Sequence, residues 1–237
     1  MELESDSGTL SLGQKFSLIF TSPSRVFTEL ERNHSWLAAL LVISLVSLAA
    51  TLPLLSKIKA YGIIKMQQMP DNPALSSPEA LDMAANAAII GGIAGALLTP
   101  LLFALIVALL LKLFNALAGD KVPYRKLFSV SVYAYLPLLL SSLIGLALGL
   151  TTPAENFGSI SISLYLLFPP DTYTFPALLA AQINPFILWS LYLAALGGAI
   201  LMKSEVKKVG SYIFLLWLIY ALASSYFGAA SISNLYG

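Results

Sequence analysis

The sequence predicts an all-α membrane protein: a polytopic transmembrane helical bundle with five spans, preceded by an amphipathic N-terminal interfacial helix. Hydrophobic residues make up 58% of the 237-residue chain and charged residues only 11%, whereas soluble domains carry about 25% charged residues. All of the charged residues lie outside five apolar runs, at about 36–55, 84–111, 127–150, 185–202 and 212–230. A charge near the bilayer midplane costs roughly 2.5–3.5 kcal/mol on insertion scales, so this distribution indicates that the runs are surrounded by lipid.

The N-terminal region divides into two parts. Residues 1–10 are polar, and we expect them to be disordered. Within 11–33, apolar residues recur at helical spacing between charged ones, and Ser22-Pro23 has the form of a helix start, with a capping residue before proline. We predict a helix that lies in the headgroup layer with its apolar face down. Packing against the cytoplasmic ends of the spans is the alternative that the pattern leaves open.

The first two spans are joined by a mixed-charge connection over residues 56–83, whose first part is a candidate extension of the first helix. As a helix at about 1.5 Å per residue, the second run would measure about 42 Å, more than the ~30 Å of hydrocarbon in a bilayer. It therefore tilts, kinks at Pro100 or begins outside the bilayer. We favour the kink, because proline removes a backbone hydrogen bond and clashes with the preceding turn.

The second half of the chain holds three spans and one long connection. The third span is followed by a segment, Thr151 to Asn184, that contains four prolines and no basic residue. Within it, residues 160–168 are apolar but too few to cross a bilayer, so we expect an interfacial or re-entrant piece. A short charged loop separates the fourth and fifth spans, and residues 231–237 form a short C-terminal tail.

Basic residues predict the orientation of the chain. With the N-terminus inside, ten Lys and Arg residues face the cytoplasm and three face outside, which favours a multi-pass protein of the cytoplasmic membrane with its C-terminus out. We predict a cytoplasmic basic face that meets anionic headgroups or a cytoplasmic protein partner, since each Lys or Arg near such a surface is worth about 1 kcal/mol. Its residues are Lys121, Arg125, Lys126, Lys203, Lys207 and Lys208.

Small residues recur along the spans. In lipid there is little hydrophobic drive between helices, so small faces that allow close backbone approach supply the packing. We interpret these residues as seams within the bundle, and homodimerisation through one such face is the alternative. They are Gly91, Gly95, Ser141, Gly145, Gly149, Ala194, Gly198, Ser224 and Gly228.

An aromatic and proline cluster, Tyr133-Ala134-Tyr135-Leu136-Pro137, lies near the start of the third span. Two tyrosines just inside a basic loop are typical of an interfacial belt, in which the ring sits in lipid and the hydroxyl in water. Alternatively, the proline frees a backbone carbonyl that forms a polar site inside the bundle together with the tyrosine hydroxyls.

The same cluster resembles the tyrosine-rich, proline-ended motif of the Yip (Ypt-interacting protein) membrane family. Residues 20–27 before the first span, residues 184–191 opening the fourth, and the five-span layout resemble the bacterial and archaeal members. This resemblance covers roughly residues 16–230 and implies a helical integral membrane domain with a cytoplasmic N-terminus. Eukaryotic relatives are associated with small GTPases and vesicle membranes. The chain lacks the Asp-Leu-Tyr-Gly-Pro motif of those relatives, so GTPase binding is not implied.

Several function classes are disfavoured by residues that the chain lacks. Its single histidine, His34, lies at the lip of the first span and it has no cysteine, so a His-Glu-x-x-His metal site is impossible. No basic run is dense enough for nucleic acid, and no acidic or basic residue lies inside the predicted spans to relay protons. We predict no enzyme, metal or cofactor, but a membrane-organising or adaptor component. A passive transporter, a channel or an accessory subunit of an exporter is the alternative.

Overall fold

The computed structural model describes residues 9–68, 77–119 and 121–236, with side chains up to Ile232. In these ranges the chain is helical, with no strand. The disorder predicted for residues 1–10 and the end of the predicted tail fall largely outside them. The α-helices are α1 (Leu12–Thr21), α2 (Pro23–Arg32), α3 (Leu37–Thr51), α4 (Leu55–Gln67), α5 (Pro78–Leu117), α6 (Tyr124–Ala134), α7 (Leu136–Thr151), α8 (Phe175–Gln182), α9 (Pro185–Met202) and α10 (Val206–Tyr236).

Five helical segments of the described chain are long and apolar enough to cross a membrane, and the predicted fold class is confirmed. They are Leu37–Gln67, Pro78–Leu117, Tyr124–Thr151, Pro185–Met202 and Val206–Ile232. Four of them extend beyond the apolar runs of the sequence, because amphipathic turns continue each helix past the hydrocarbon. Helix α10 also includes residues that the sequence analysis assigns to the C-terminal tail.

Two of the segments form the centre of the bundle. In their most apolar stretches, 67% of residues are buried in Tyr124–Thr151 and 56% in Pro185–Met202, against 28%, 22% and 17% in the other three. Helix α6 contacts both α5 and α9, and α2 packs on α6 and α9 at one end of the bundle. Exposed leucines such as Leu102 and Leu109 on α5 face outward. The third and fourth spans are therefore enclosed by protein, while α3, α5 and α10 present apolar surface to lipid.

The N-terminal region forms two helices that dock on the bundle. Ser11 and Gln14 form a capping box at the start of α1, and Pro23 occupies the first turn of α2. Four apolar side chains of these helices, Ile19, Val26, Phe27 and Leu30, are fully buried. Of the two alternatives for this region, packing against the spans is the one observed. The prediction of an apolar face in the headgroup layer is wrong for these side chains, because they belong to the buried core, where α2 packs on α6 and α9 and α1 packs on α2.

Helix α3 continues through a 3₁₀ turn at Leu52–Leu54 into α4, so the predicted extension of the first span is a full helix. Helix α5 begins at Pro78 with a Ser77 cap and runs for 40 residues through Pro100. At about 1.5 Å per residue it is about 60 Å long, twice the hydrocarbon thickness. The helix is therefore longer than the hydrocarbon is thick, and the kink that we favour at Pro100 stays a prediction.

The third span is interrupted at Tyr135, between α6 and α7. The Tyr135 amide donates to the Val132 carbonyl at 3.3 Å, a tighter turn than the α-helical one. Pro137 explains the break, because it has no amide hydrogen and its ring crowds the preceding turn. Beyond α7, the segment before α8 contains two short 3₁₀ helices, at Ala154–Ser159 and Leu164–Leu167, joined by turns and irregular chain.

Candidate functional site

One end of the bundle collects α1, α2 and the loops that follow α5 and α9; we call it the basic end. Between these elements lies a cavity of about 310 Å³, the basic pocket. Its charged lining is Lys121, Lys126, Lys203 and Glu31, and its apolar lining includes Leu201 and Met202. Three of the six residues predicted to form a basic face therefore converge on one cavity.

Lys126 is held by the end of α2. Its Nζ donates to the Glu31 carbonyl at 2.5 Å, one of the last carbonyls of that helix, where a cation is favoured by the helix dipole. Lys203 ends α9 with a left-handed backbone, φ 51°, a conformation that a non-glycine residue adopts only at a cost. Its amide bonds back to the Ile200 carbonyl, and this cap sets where the exposed side chain leaves the helix.

The loop that carries Lys121 is fastened at the next residue. Lys112 Nζ donates to the Val122 carbonyl at 2.9 Å, and the Val122 amide donates to Asn115 Oδ1 at 3.3 Å. Asn115 is fully buried. The sequence analysis assigned no role to Lys112 or Asn115. Their spacing of three on α5 was the available signal, since it puts both side chains on one helix face.

The other three predicted basic residues lie at the same end but outside the pocket. Arg125, Lys207 and Lys208 are exposed. Lys208 pairs with Glu205 at 2.9 Å, with both side chains about two-thirds exposed. Such a pair adds little stability, so these side chains form a solvated rim around the basic pocket.

The tyrosine cluster fastens the N-terminal helices to the bundle. Tyr133 is 1% exposed and makes an edge contact with Phe16 of α1, with ring centroids 6.1 Å apart. Its hydroxyl interacts with Ser35, which also accepts a 2.9 Å hydrogen bond from the buried Lys15 ammonium. The interpretation of Tyr133 as part of a lipid-facing belt is therefore wrong, because protein covers the ring.

Tyr135 and Pro137, the other two residues of that cluster, are also buried. The Tyr135 ring packs edge-on against Phe103 of α5 at 5.3 Å between centroids. It joins the third span to the second, and the belt interpretation is wrong for this residue as well. Pro137 lies at the start of α7 and shapes the turn between the two tyrosines and the rest of the span.

The small residues divide by what lies next to them. An added Cβ would meet a neighbouring helix at Gly198, at Gly149, where Leu54 lies 2.9 Å away, and at Gly228, where Leu178 lies 3.1 Å away. Ala194 is fully buried, whereas the Ser224 hydroxyl donates to the carbonyl of Ala221 on its own helix.

Three of the predicted seam residues have open space beside them in the described chain. At Gly91, Gly95 and Gly145 an added Cβ would find no heavy atom within 4 Å beyond its own helix turn. A seam within the bundle at Gly91 and Gly95 is thus wrong, because that face of α5 points away from the neighbouring helices. Gly197, which was not assigned to a seam, is the more crowded of the two glycines of α9. A Cβ added there would lie 2.5 Å from Val130 Cγ1 and 2.8 Å from Phe27 Cδ1.

Comparison with known proteins agrees with this architecture. The family model of the Yip1 domain matches residues 17–228, from α1 into α10. The chain belongs to the Yip1 domain family. A curated relative is the membrane protein YknW of Bacillus subtilis (strain 168), 28% identical over 199 residues, which cover 82% of this chain and 81% of that protein. No solved structure is significantly similar to the chain.

The Yip1 membership confirms the resemblance found in the sequence and the assignment as an integral membrane protein. The matched region includes the whole tyrosine cluster and both basic loops. The Yip1 domain is not a known enzyme family, and the relative YknW is named only as a membrane protein. The chemistry of the site therefore has to be inferred from its own residues.

Proposed function

We propose that this Yip1-family protein is a non-catalytic membrane-organising component whose basic end faces the cytoplasm and binds the phosphate of an anionic lipid headgroup. The observation that carries the proposal is the convergence of Lys121, Lys126 and Lys203 on one cavity. Basic pockets between membrane helices on the cytoplasmic side are suited to anionic headgroups. The apolar side chains of Leu201 and Met202 in the lining suit the first carbons of the lipid chains.

The N-in orientation is supported by the partners of the three lysines at the opposite end. Lys57 Nζ donates to the carbonyls of Gly149, Leu150 and Thr152 at 2.7 to 2.8 Å, at the negative end of the α7 dipole. Lys59 pairs with Asp82 at 2.6 Å and Lys65 with Asp171 at 2.8 Å. These lysines are thus accounted for by contacts within the protein, and the lysines lining a cavity lie at the basic end.

The rigid attachment of α1 and α2 supports an adaptor role beside lipid binding. Their apolar side is buried, and α2 carries two exposed arginines, Arg25 and Arg32, of which Arg32 directly follows Glu31 of the basic pocket. A cytoplasmic protein partner would therefore meet a preformed surface. Lipid in the pocket would sit between that surface and the bilayer.

The lipid proposal is tested with the double variant Lys121→Gln/Lys203→Gln in nanodiscs of phosphatidylcholine with increasing phosphatidylglycerol. At about 1 kcal/mol per lysine, affinity for phosphatidylglycerol should fall about 30-fold, measured as bound lipid by native mass spectrometry. The control variant Lys207→Gln/Lys208→Gln removes the same charge at the same end but outside the pocket. Equal losses in the two variants would refute a specific site.

The adaptor role is tested separately. Purified protein in liposomes should give no solute uptake and no lipid scrambling above empty vesicles, and either activity would favour the transporter alternative. A partner recovered after mild detergent extraction should be lost with Arg25→Glu/Arg32→Glu, which leaves the buried side of α2 intact. Deleting residues 11–33 is unsuitable here, because those residues form part of the core.

A further inference from the structure

The end of the bundle opposite the basic end contains a second cavity, of about 490 Å³, which we call the outer pocket. It lies between α7, the segment 158–173 and α8. Its lining includes Ser141 and Gly145 of α7, the loop residues Asp171 and Tyr173, and Asn184 before α9. This volume is in the range of small-molecule sites, about 300–1,000 Å³.

The pocket is open because small residues line it. A Cβ added at Gly145 would meet no heavy atom within 4 Å, and Ser141 lies one helical turn earlier on the same face. On the loop side, Gly158 approaches so closely to Tyr61 that an added Cβ would overlap the tyrosine hydroxyl. The loop is therefore pinned against α4, and the cavity is part of the folded arrangement.

Asp171 is the one charged residue in the described lining. Its Oδ2 pairs with Lys65 Nζ at 2.8 Å, and its Oδ1 accepts from the Tyr173 hydroxyl at 3.2 Å. The hydrogen bond from Lys65 holds the pKa of the Asp171 carboxyl below its usual value, so the carboxylate is charged at neutral pH. Burial, followed by the nearby carboxylate, raises the pKa of Tyr173 to about 12, so this hydroxyl remains a donor.

The Lys65 side chain shows which chemistry this place accepts. Its ammonium contacts the Asp171 carboxylate and lies 5.6 Å above the centre of the Tyr61 ring, the arrangement of a cation–π contact. Tyr165 and Tyr173 also line the pocket. A half-exposed carboxylate that contacts Tyr61 and Tyr173, on a segment without basic residues, favours a cation over an anion.

We propose that the outer pocket binds the primary ammonium group of a small polar ligand, which shares Asp171 with Lys65. An ammonium group has three donors, and Asp171, the Ser141 hydroxyl and backbone carbonyls of the loop supply acceptors. The same chemistry is offered by a phosphatidylethanolamine headgroup in the adjoining leaflet and by a free amine in solution. Because Lys65 competes for the carboxylate, its removal should strengthen binding.

The test uses the full chain in nanodiscs of phosphatidylglycerol alone. In one arm, phosphatidylethanolamine is added to the bilayer; in the other, glycerophosphoethanolamine is added to the buffer. Ligand-dependent thermal stabilisation then reports the affinity. A shift in both arms identifies the soluble headgroup as sufficient, and a shift in the first arm alone identifies the membrane lipid. No shift in either arm would overturn the proposal.

Three variants separate binding from folding. Asp171→Asn should lower the affinity for the ligand about tenfold or more, since a hydrogen bond to a charged group is worth that much. Lys65→Gln should strengthen it, although both variants break the same ion pair. Gly145→Leu fills the cavity, leaves the pair intact and should abolish the shift. A purely structural ion pair predicts that the ligand response is the same in all three, and that result would refute the site.

Discussion

The docking of α2 on the bundle predicts a large cost for Phe27→Ala. Phe27 is fully buried and lies in the notch that Gly197 leaves in α9. Truncating a buried phenylalanine to alanine costs about 3–5 kcal/mol in a well-packed core. Helix α2 has no side-chain cap to compensate, so the loss should also loosen the whole N-terminal pair of helices.

Phe20→Ala provides the matched control for this prediction. Phe20 lies on α1, is 37% exposed and makes one edge contact with Trp189, so its truncation should cost well under half as much. The free energy of unfolding in mixed micelles gives both values, and limited proteolysis within residues 9–36 reports the loosening. Equal, small effects of the two variants would mean that both rings lie in lipid, and would refute the docked arrangement.

Three further predictions concern close contacts elsewhere in the chain. Gly197→Ala should destabilise the protein by about 1–3 kcal/mol through overpacking, whereas Gly91→Ala, in open space, should be neutral or slightly stabilising in the same unfolding assay. Lys57→Met should cost about 1–3 kcal/mol because it leaves carbonyls at the end of α7 without their donor, measurable as faster hydrogen exchange there. The pKa of Asp171 is lower in the folded protein than the ordinary value of 3.8 that it has in the unfolded chain. The pair with Lys65 therefore stabilises the fold fully above that ordinary value, and the stabilisation is lost as the pH falls through the lower pKa of the folded state. The difference in melting temperature between wild type and Lys65→Met should therefore be constant from about pH 7 to 5 and shrink only below about pH 4; a change centred near pH 6 would contradict it.

The spans could be predicted from the sequence because lipid imposes a single, local constraint. A run without charges of about 20 residues must be a helix that satisfies its own backbone. The same constraint explains why the helix ends were less predictable. Outside the hydrocarbon, charged residues are tolerated, so α4 continues with Lys57, Lys59 and Lys65 although the apolar run has ended.

What covers each helix face could not be predicted, because it depends on distant residues. The amphipathic period of residues 11–33 shows that one side is apolar, but lipid and protein satisfy that pattern equally. Likewise, Gly91 and Gly198 are both small residues within apolar helices and look alike in the sequence. Only the structure shows that Leu111 packs against Gly198 of α9, whereas Gly91 faces open space. The partners of Lys57 lie more than 90 residues away in the sequence.

The side of the membrane on which the basic pocket lies could be predicted from the sequence, but the pocket itself could not. Lys121 and Lys126 share one loop, and two spans, an even number, separate that loop from Lys203, so the sequence places all three lysines on one side of the membrane. Their convergence on one cavity also depends on Glu31 and on the fold of the loop at Val122, which no local pattern encodes.

Orientation is the point on which the proposed role of the basic end depends, and the chain is well suited to its measurement because it contains no cysteine. Single-cysteine variants at exposed Lys207, near the basic pocket, and at exposed Glu155, at the opposite end, can be treated with a membrane-impermeant thiol reagent on intact cells. We expect Glu155→Cys to be labelled at once and Lys207→Cys only after the membrane is permeabilised. Labelling of Lys207→Cys on intact cells, with Glu155→Cys protected, would place the basic end outside and contradict the proposed function.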